Sequence, residues 1–369
     1  MKVMILGPLN SIHIQRWVEA LSKREHKITI VSQDRAVDWI CPEDVDLRYL
    51  PHSGNLGYFL NAVALRRILQ DTQCDILNVH YASGYGTIAG IVGFTPTLLS
   101  VWGSDVYDFP DESALKRRLV TWNLRRATYI ASTSEAMARQ VKRLAPEMSL
   151  PFVTPFGVNT RQFAPATMEH EQSDKIVIGT VKTLAYKYGT DLLIRAFAQL
   201  LMDEELLTSG LSRKLHLRIV GTGPERLSLE ALAVEEGLAD RIEFVGAVAH
   251  SLVPEMLRGL DVYVAASRLD SESFGVAVVE ASACGIPVVV TDVDGLSEVV
   301  EQGRTGIVVP REDVSALVLA LKSLILNASL RRRLGKSGRA SVQRRYDWEA
   351  SVTTMIGCYE RVRSMAIHA

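Results

Sequence analysis

Short apolar runs alternate along the chain with stretches whose apolar residues recur every three or four positions. Lys2–Leu6, Ile28–Ser32, Asp75–His80 and Thr97–Val101 are runs of strand length in the first half. Runs with little polar alternation suit strands buried on both faces of a parallel sheet. Between the first two, Ile14, Trp17, Val18 and Leu21 fall at i, i+3, i+4 and i+7. That spacing predicts a helix burying one face, capped by Asn10 or Ser11. The second half repeats the alternation, with strands expected at Lys175–Val181, Leu215–Val220, Ile242–Val245, Asp261–Ala265 and Ile286–Thr291. Leu192, Leu193, Ala196, Phe197 and Leu200 mark the buried face of one helix. A second helix is expected from Phe274 through Val278, Val279 and Ala281, stopped by Gly285. After Pro310 come two more, one with Ala316, Leu317, Leu319, Ala320 and Leu324, the other reading RRRLGKSGRASVQRRY. A final helix is expected from about Trp348 to Met365. Alternating strands and helices predict an α/β protein with doubly wound, Rossmann-like sheets.

The polar stretch TMEHEQSD reads as a linker and puts the domain boundary near residue 168. At 369 residues, 47 % of them hydrophobic, the chain has enough to build two cores. A formal net charge of −1 argues against bulk nucleic-acid binding. Cys41, Cys74, Cys284 and Cys358 are scattered, which suits reduced thiols in a cytosolic protein rather than disulfides or zinc. The opening MKVMILGPLNS is apolar for only a strand's length, too short for a secretory signal. No stretch approaches the roughly 18 unbroken apolar residues of a membrane span. A cytoplasmic location is therefore expected. Leu115–Ala127 carries Lys116, Arg117, Arg118, Arg125 and Arg126 around an apolar stripe. Such a helix suits peripheral contact with an anionic membrane, and equally an ordinary half-solvated helix.

The candidate chemistry centres on Glu272 and Glu280. The first lies just before a helix and the second inside it, with Ser273, Phe274 and Gly275 between them. A helix start attracts anions through its unpaired amides. A carboxylate accepts paired hydrogen bonds from a vicinal diol. Two carboxylates around one helix start therefore suit a pyrophosphate with a sugar on either side. Loops at the carboxyl ends of strands add Gly7, Trp102, Gly103, Ser104 and Asp105. Asp105 is a candidate partner for an acceptor hydroxyl, or alternatively a loop cap.

ESFGVAVVE, then A-x-A-x-G-x-P-V-V-x-T and G-L-x-E-V-V, resembles the donor-site signature of family 4 retaining glycosyltransferases with the GT-B fold. The resemblance implies two Rossmann-like domains facing across a cleft. Residues 1–168 would be the acceptor side and 169–347 the nucleotide-sugar side, with 348–369 packing back on the first. It implies that Glu272 contacts the transferred sugar and Glu280 holds the ribose. Lys182 and Lys187 stand where the family has arginine, four residues, then lysine, both gripping the pyrophosphate. Gly221 and Gly223 would turn the backbone beside the cleft, and the loop at Val248 would meet the base. Trp102 stands where many relatives carry a histidine. The implied donor is a nucleoside-diphosphate sugar and the acceptor a glycan or lipid-linked hydroxyl. No metal or other cofactor is expected, and Asp292-Val293-Asp294 is read as a turn. The alternatives are a nucleotide-sugar epimerase and a non-catalytic nucleotide-sugar binder.

Overall fold

The computed structural model describes residues 1–36, 39–166 and 174–367. The boundary expected near residue 168 lies outside the described residues. The chain divides into two compact units, Met1–Pro155 with Glu349–Ala369, and Phe156–Trp348.

In the first unit the strands are β1 (Lys2–Leu6), β2 (Lys27–Ser32), β3 (Asp46–Tyr49), β4 (Ile76–His80), β5 (Thr97–Ser100), β6 (Tyr129–Ser132) and β7 (Phe152–Val153). Among the described residues they form one sheet in the order β3-β2-β1-β4-β5-β6-β7, parallel throughout. β3 reads DLRY and shows no apolar run, so the hydrophobic pattern does not announce it. It is an edge strand that pairs with β2 alone. Met4, Leu6, Leu77, Val79 and Leu99 pack against Ile88, Val120, Leu124, Met137 and Val141 from the flanking helices. Each such side chain contributes roughly 1.5–3 kcal/mol by leaving water. The helix Trp348–Ile367 belongs here. Its Tyr359 hydroxyl donates to Asn78 Oδ1 on β4 at 2.7 Å, and Glu349 pairs with Arg24.

In the second unit the strands are β8 (Ile176–Val181), β9 (Leu215–Val220), β10 (Ile242–Gly246), β11 (Val262–Ala265), β12 (Val288–Thr291) and β13 (Gly306–Val309). Their order is β10-β9-β8-β11-β12-β13, again all parallel. Ile178, Leu217, Ile219, Val264 and Val289 meet Leu193, Ile194, Phe197, Leu317 and Leu321 in its core. Some expected core positions move outward, Ala316 to a half-buried place among them. Leu192 is half-buried and Leu319 is exposed, because each lies at the flank of its helix rather than over the sheet.

Both sheets reverse strand order beside their first strand, at β1/β4 and at β8/β11. Such switch points open a crevice at the carboxyl ends of the strands. No single helix among the described residues is long and apolar enough to cross a membrane. On the basic helix Ala114–Arg126, three cations have acidic partners: Lys116 with Glu112, Arg117 with Asp111, and Arg125 with Glu147.

Candidate functional site

Lys182 follows the end of β8, and Glu272 lies in the loop after β11, so the second switch point brings them together across 90 residues. Lys182 Nζ donates to Glu272 Oε1 at 2.7 Å, with the carboxylate buried and the lysine largely so. Burial alone lowers the lysine pKa. The adjacent Glu272 carboxylate outweighs it, and Lys182 stays above its ordinary value as a fixed cation. Its ammonium also lies 4.5 Å from the centre of the Tyr188 ring. Lys187 Nζ sits 5.2 Å from the same ring. The two expected phosphate cations are thus gathered around one aromatic ring.

The helix after Glu272 begins two residues later than its apolar spacing suggests, at Val276, and runs to Ala283. Gly275 caps it with φ +75°, a conformation that admits glycine readily. A Cβ there would stand 2.4 Å from Leu296 Cδ2, so the GLSEV segment packs directly on the turn. Glu280 therefore lies about one turn into the helix. Ser273 and Phe274 are buried, and the Phe274 ring meets Tyr346 and Phe156 edge to face, at 5.4 and 6.2 Å between centres. Glu280 is buried too, and its Oε1 lies 3.1 Å from His250 Nε2. His250 stands two residues beyond half-buried Val248, on the loop after β10.

Gly221 and Gly223 lie where a Cβ would come within 1.9 Å of Lys182 O and 2.2 Å of Leu184 O. They let the two loops close on one another. The Gly221 amide donates to Gly246 O at 2.8 Å, so its contribution to a ligand is shape rather than a hydrogen bond. Asp292 Oδ1 accepts from the backbone and side chain of Arg311 at 2.9 and 3.2 Å. The Asp294 amide donates to Asp270 Oδ1 at 3.0 Å. The D-x-D here is part of a turn held by Arg311.

Two expectations in the first unit need correction. Asp105 is buried, and its oxygens accept from the amides of Ala82 (2.7 Å), Trp102 (3.0 Å) and Gly103 (2.9 Å). It ties two loops together as a cap and does not present a carboxylate for an acceptor hydroxyl. Burial raises its pKa, while those amides pull the other way. The Gly7 amide donates to Val31 O at 3.2 Å and so extends the ladder rather than offering a free donor. Trp102 donates through Nε1 to His80 Nδ1 at 3.1 Å. Indole is a donor only, so that nitrogen must be the unprotonated one. Burial pulls the His80 pKa down to about 3.

Sequence reasoning missed three side chains at the second switch point. His250 is a lone histidine in a loop, with no spacing to link it to Glu280. Tyr188 directly follows Lys187 in the sequence, and that adjacency was the available signal. Arg268 is buried and forms a bidentate pair with Asp191, 77 residues away, which no local pattern shows.

Two Rossmann-like parallel sheets, one with lysines and carboxylates gathered at its switch point, define the class of fold. Family models identify the family. Residues 167–341 match "Glycosyl transferases group 1" and residues 2–134 match "Glycosyl transferase 4-like". The chain belongs to the group 1, family 4 glycosyltransferases with the GT-B fold. It is 30 % identical over 237 residues to the D-inositol 3-phosphate glycosyltransferase of Geodermatophilus obscurus, covering 62 % of this chain and 51 % of that one. It is 38 % identical over 148 residues to the phosphatidyl-myo-inositol mannosyltransferase of Mycobacterium leprae, covering 40 % of this chain and 38 % of that one. The matches thus span about half or less of these relatives. Among solved structures, sucrose-phosphate synthase from Thermosynechococcus elongatus superposes with a TM-score of 0.84 at 20 % identity, covering 99 % of this chain and all of the other. At that identity the likeness concerns the fold alone.

Proposed function

We propose that this chain is a retaining glycosyltransferase. It moves a sugar from a nucleoside-diphosphate sugar to an acceptor hydroxyl in glycolipid or cell-surface polysaccharide assembly. The observation that carries the proposal is the Lys182–Glu272 pair at 2.7 Å, beside the turn that leads through Gly275 to Glu280. A diphosphate laid on that turn meets the helix amides of Val276 and Ala277, which have no carbonyl one turn back. Lys182 and Lys187 supply fixed positive charge for it. Glu272 is then on the sugar side and Glu280 on the ribose side, with His250 fixing the orientation of its carboxylate.

In the reaction the bond from the anomeric carbon to the diphosphate oxygen breaks, and the electron pair leaves with the diphosphate. The acceptor oxygen bonds to the same face of that carbon. Its proton passes to the departing phosphate oxygen. The lysines stabilise the charge that grows on the leaving group, and Glu272 orients the sugar through its hydroxyls. With two lysines and a helix start neutralising the phosphates, the chemistry as proposed runs without a metal. Peripheral contact with an anionic membrane is proposed through Ala114–Arg126, where Leu115 and Trp122 are exposed. The acidic partners of its cations reduce its potential, so sedimentation with anionic vesicles should be weak and lost in salt.

The test is a thermal-shift screen with UDP, GDP and ADP, followed by transfer from the matching nucleotide sugar. Binding of one nucleotide should raise the melting temperature by mass action. Nucleoside diphosphate should then be released in step with glycosylated acceptor. Conversion of the nucleotide sugar without acceptor would mark an epimerase. Binding with no turnover on any acceptor would mark a non-catalytic binder. No shift with any nucleotide would defeat the whole reading.

A further inference from the structure

Lys187 lies in a single 3-10 turn, Tyr186–Tyr188, ahead of the helix Thr190–Leu201. One such turn has too few backbone hydrogen bonds to hold a long cationic side chain in place. The surrounding contacts converge on one residue. Arg268 Nη1 and Nη2 donate to the two carboxylate oxygens of Asp191 at 2.8 and 2.7 Å. Nη1 also donates to Tyr186 O at 2.9 Å, and the guanidinium stacks 4.5 Å from the centre of the Tyr186 ring. Nε lies 3.3 Å from Glu312 Oε1. The Arg268 amide donates to Lys187 O at 2.8 Å. The residue therefore grips the lysine turn at Tyr186 and Lys187 and ties it to Asp191 in the helix that follows, and its side chain is only 7 % exposed.

The same residue opens the loop that carries Glu272. The Glu272 amide donates to Leu269 O at 3.0 Å. Arg311 closes the far side, donating to Arg268 O at 3.4 Å and pairing with Asp270 at 3.0 Å. We propose that Arg268 is a positioning residue for the transfer reaction, locking the Lys187 turn to the Glu272 loop. The pyrophosphate cation and the sugar-side carboxylate are then held as one rigid constellation. This rests on the roles given to Lys187 and Glu272 above. Only a guanidinium meets the requirement, since a lysine has one point charge and cannot serve both Asp191 oxygens and Tyr186 O.

The experiment is a double-mutant cycle on turnover, with melting temperatures and nucleoside-diphosphate affinity measured beside it. Lys187→Ala is made in the wild type and in Arg268→Lys. Asp191→Asn, at the more exposed end of the pair, replaces Arg268→Lys if that variant does not fold. In the wild type, Lys187→Ala should cost about 100-fold in turnover. Arg268→Lys alone should cost roughly tenfold in kcat with KM changed less than about threefold, as expected when alignment rather than binding is lost. In that background Lys187→Ala should cost only about tenfold further, because the lysine is already misplaced. An equal cost in both backgrounds, with Arg268→Lys folded, overturns the proposal and leaves Arg268 as a packing residue. A harmless Lys187→Ala in the wild type would instead refute the role of Lys187, and this proposal with it.

Discussion

The two units have the same architecture and employ their loops differently. In each, a parallel sheet reverses order beside its first strand, at β1/β4 and at β8/β11. In the first unit the polar groups there are absorbed by the fold. Asp105 accepts three backbone amides, the Gly7 amide joins the ladder, and His80 is buried against Trp102. In the second unit polar side chains pair with one another, Lys182 with Glu272 and His250 with Glu280. The nitrogen-bearing member of each pair keeps some contact with solvent, 18 % for Lys182 and 32 % for His250. A backbone amide is fixed in its geometry, whereas a side-chain partner can be exchanged for a ligand atom. A switch point provides the crevice, but it becomes a binding site only where its polar atoms have partners that can be exchanged.

Variants can break or sharpen that contrast. The largest effect is expected from Asp105→Ala, which leaves three buried amides without an acceptor. It should cost about 4 kcal/mol of stability in chemical denaturation, with nucleotide affinity of the folded protein unchanged within about twofold. A loss of turnover without loss of stability would return Asp105 to the reaction and remove the contrast. Lys187→Ala should do the opposite, lowering turnover about 100-fold, or about 3 kcal/mol, with normal melting. Next is the acid response of the first unit. His80 is held near a pKa of about 3 in the fold, against 6.5 when unfolded. Between those values the unfolded chain binds the extra proton, so stability is fully present above pH 6.5 and declines as pH falls towards 3. About 3 kcal/mol should be gone at pH 4.5, read by denaturant midpoints, and His80→Gln should flatten the slope.

Smaller effects are expected around Glu280, the carboxylate proposed to hold the ribose. Glu280→Gln should weaken nucleoside-diphosphate binding about tenfold, and His250→Asn about threefold, both read by calorimetry. Equal affinity in all three proteins would mean that the Glu280–His250 pair is as structural as Asp105. The smallest change is expected from a chelator. Turnover in EDTA should match turnover in its absence, and a loss restored by magnesium or manganese would require carboxylates not assigned here.

Much of the second unit was readable in the sequence. Most of its strands are mainly apolar runs, although LHLRIV and IEFVG carry polar residues, and seven residues separate Glu272 from Glu280 around one helix start. Even there the pattern erred locally, starting the helix at Phe274. That ring is apolar and in phase with the helix, but it is buried against Phe156 and Tyr346 ahead of the glycine cap. β3 was invisible for the converse reason, since an edge strand of polar residues is made by its neighbour's ladder. The first unit misled more seriously at Asp105. An aspartate in a loop after a strand looks alike whether it faces solvent or caps the chain beside it.

By itself the sequence determined the α/β class, the two-unit alternation and the spacing of the carboxylates against the lysines. These depend on local apolar periodicity and on distances along one segment, which the chain carries wherever it goes. Only the tertiary structure decided the partner of each charge. Lys182 meets Glu272 across 90 residues, Arg268 meets Asp191 across 77, and His250 meets Glu280 across 30. Strand order sets those meetings, because it chooses which distant loops emerge side by side at the same end of a sheet. The partner met there, backbone amide or side chain, then decides whether a carboxylate is committed to the fold or left to a ligand.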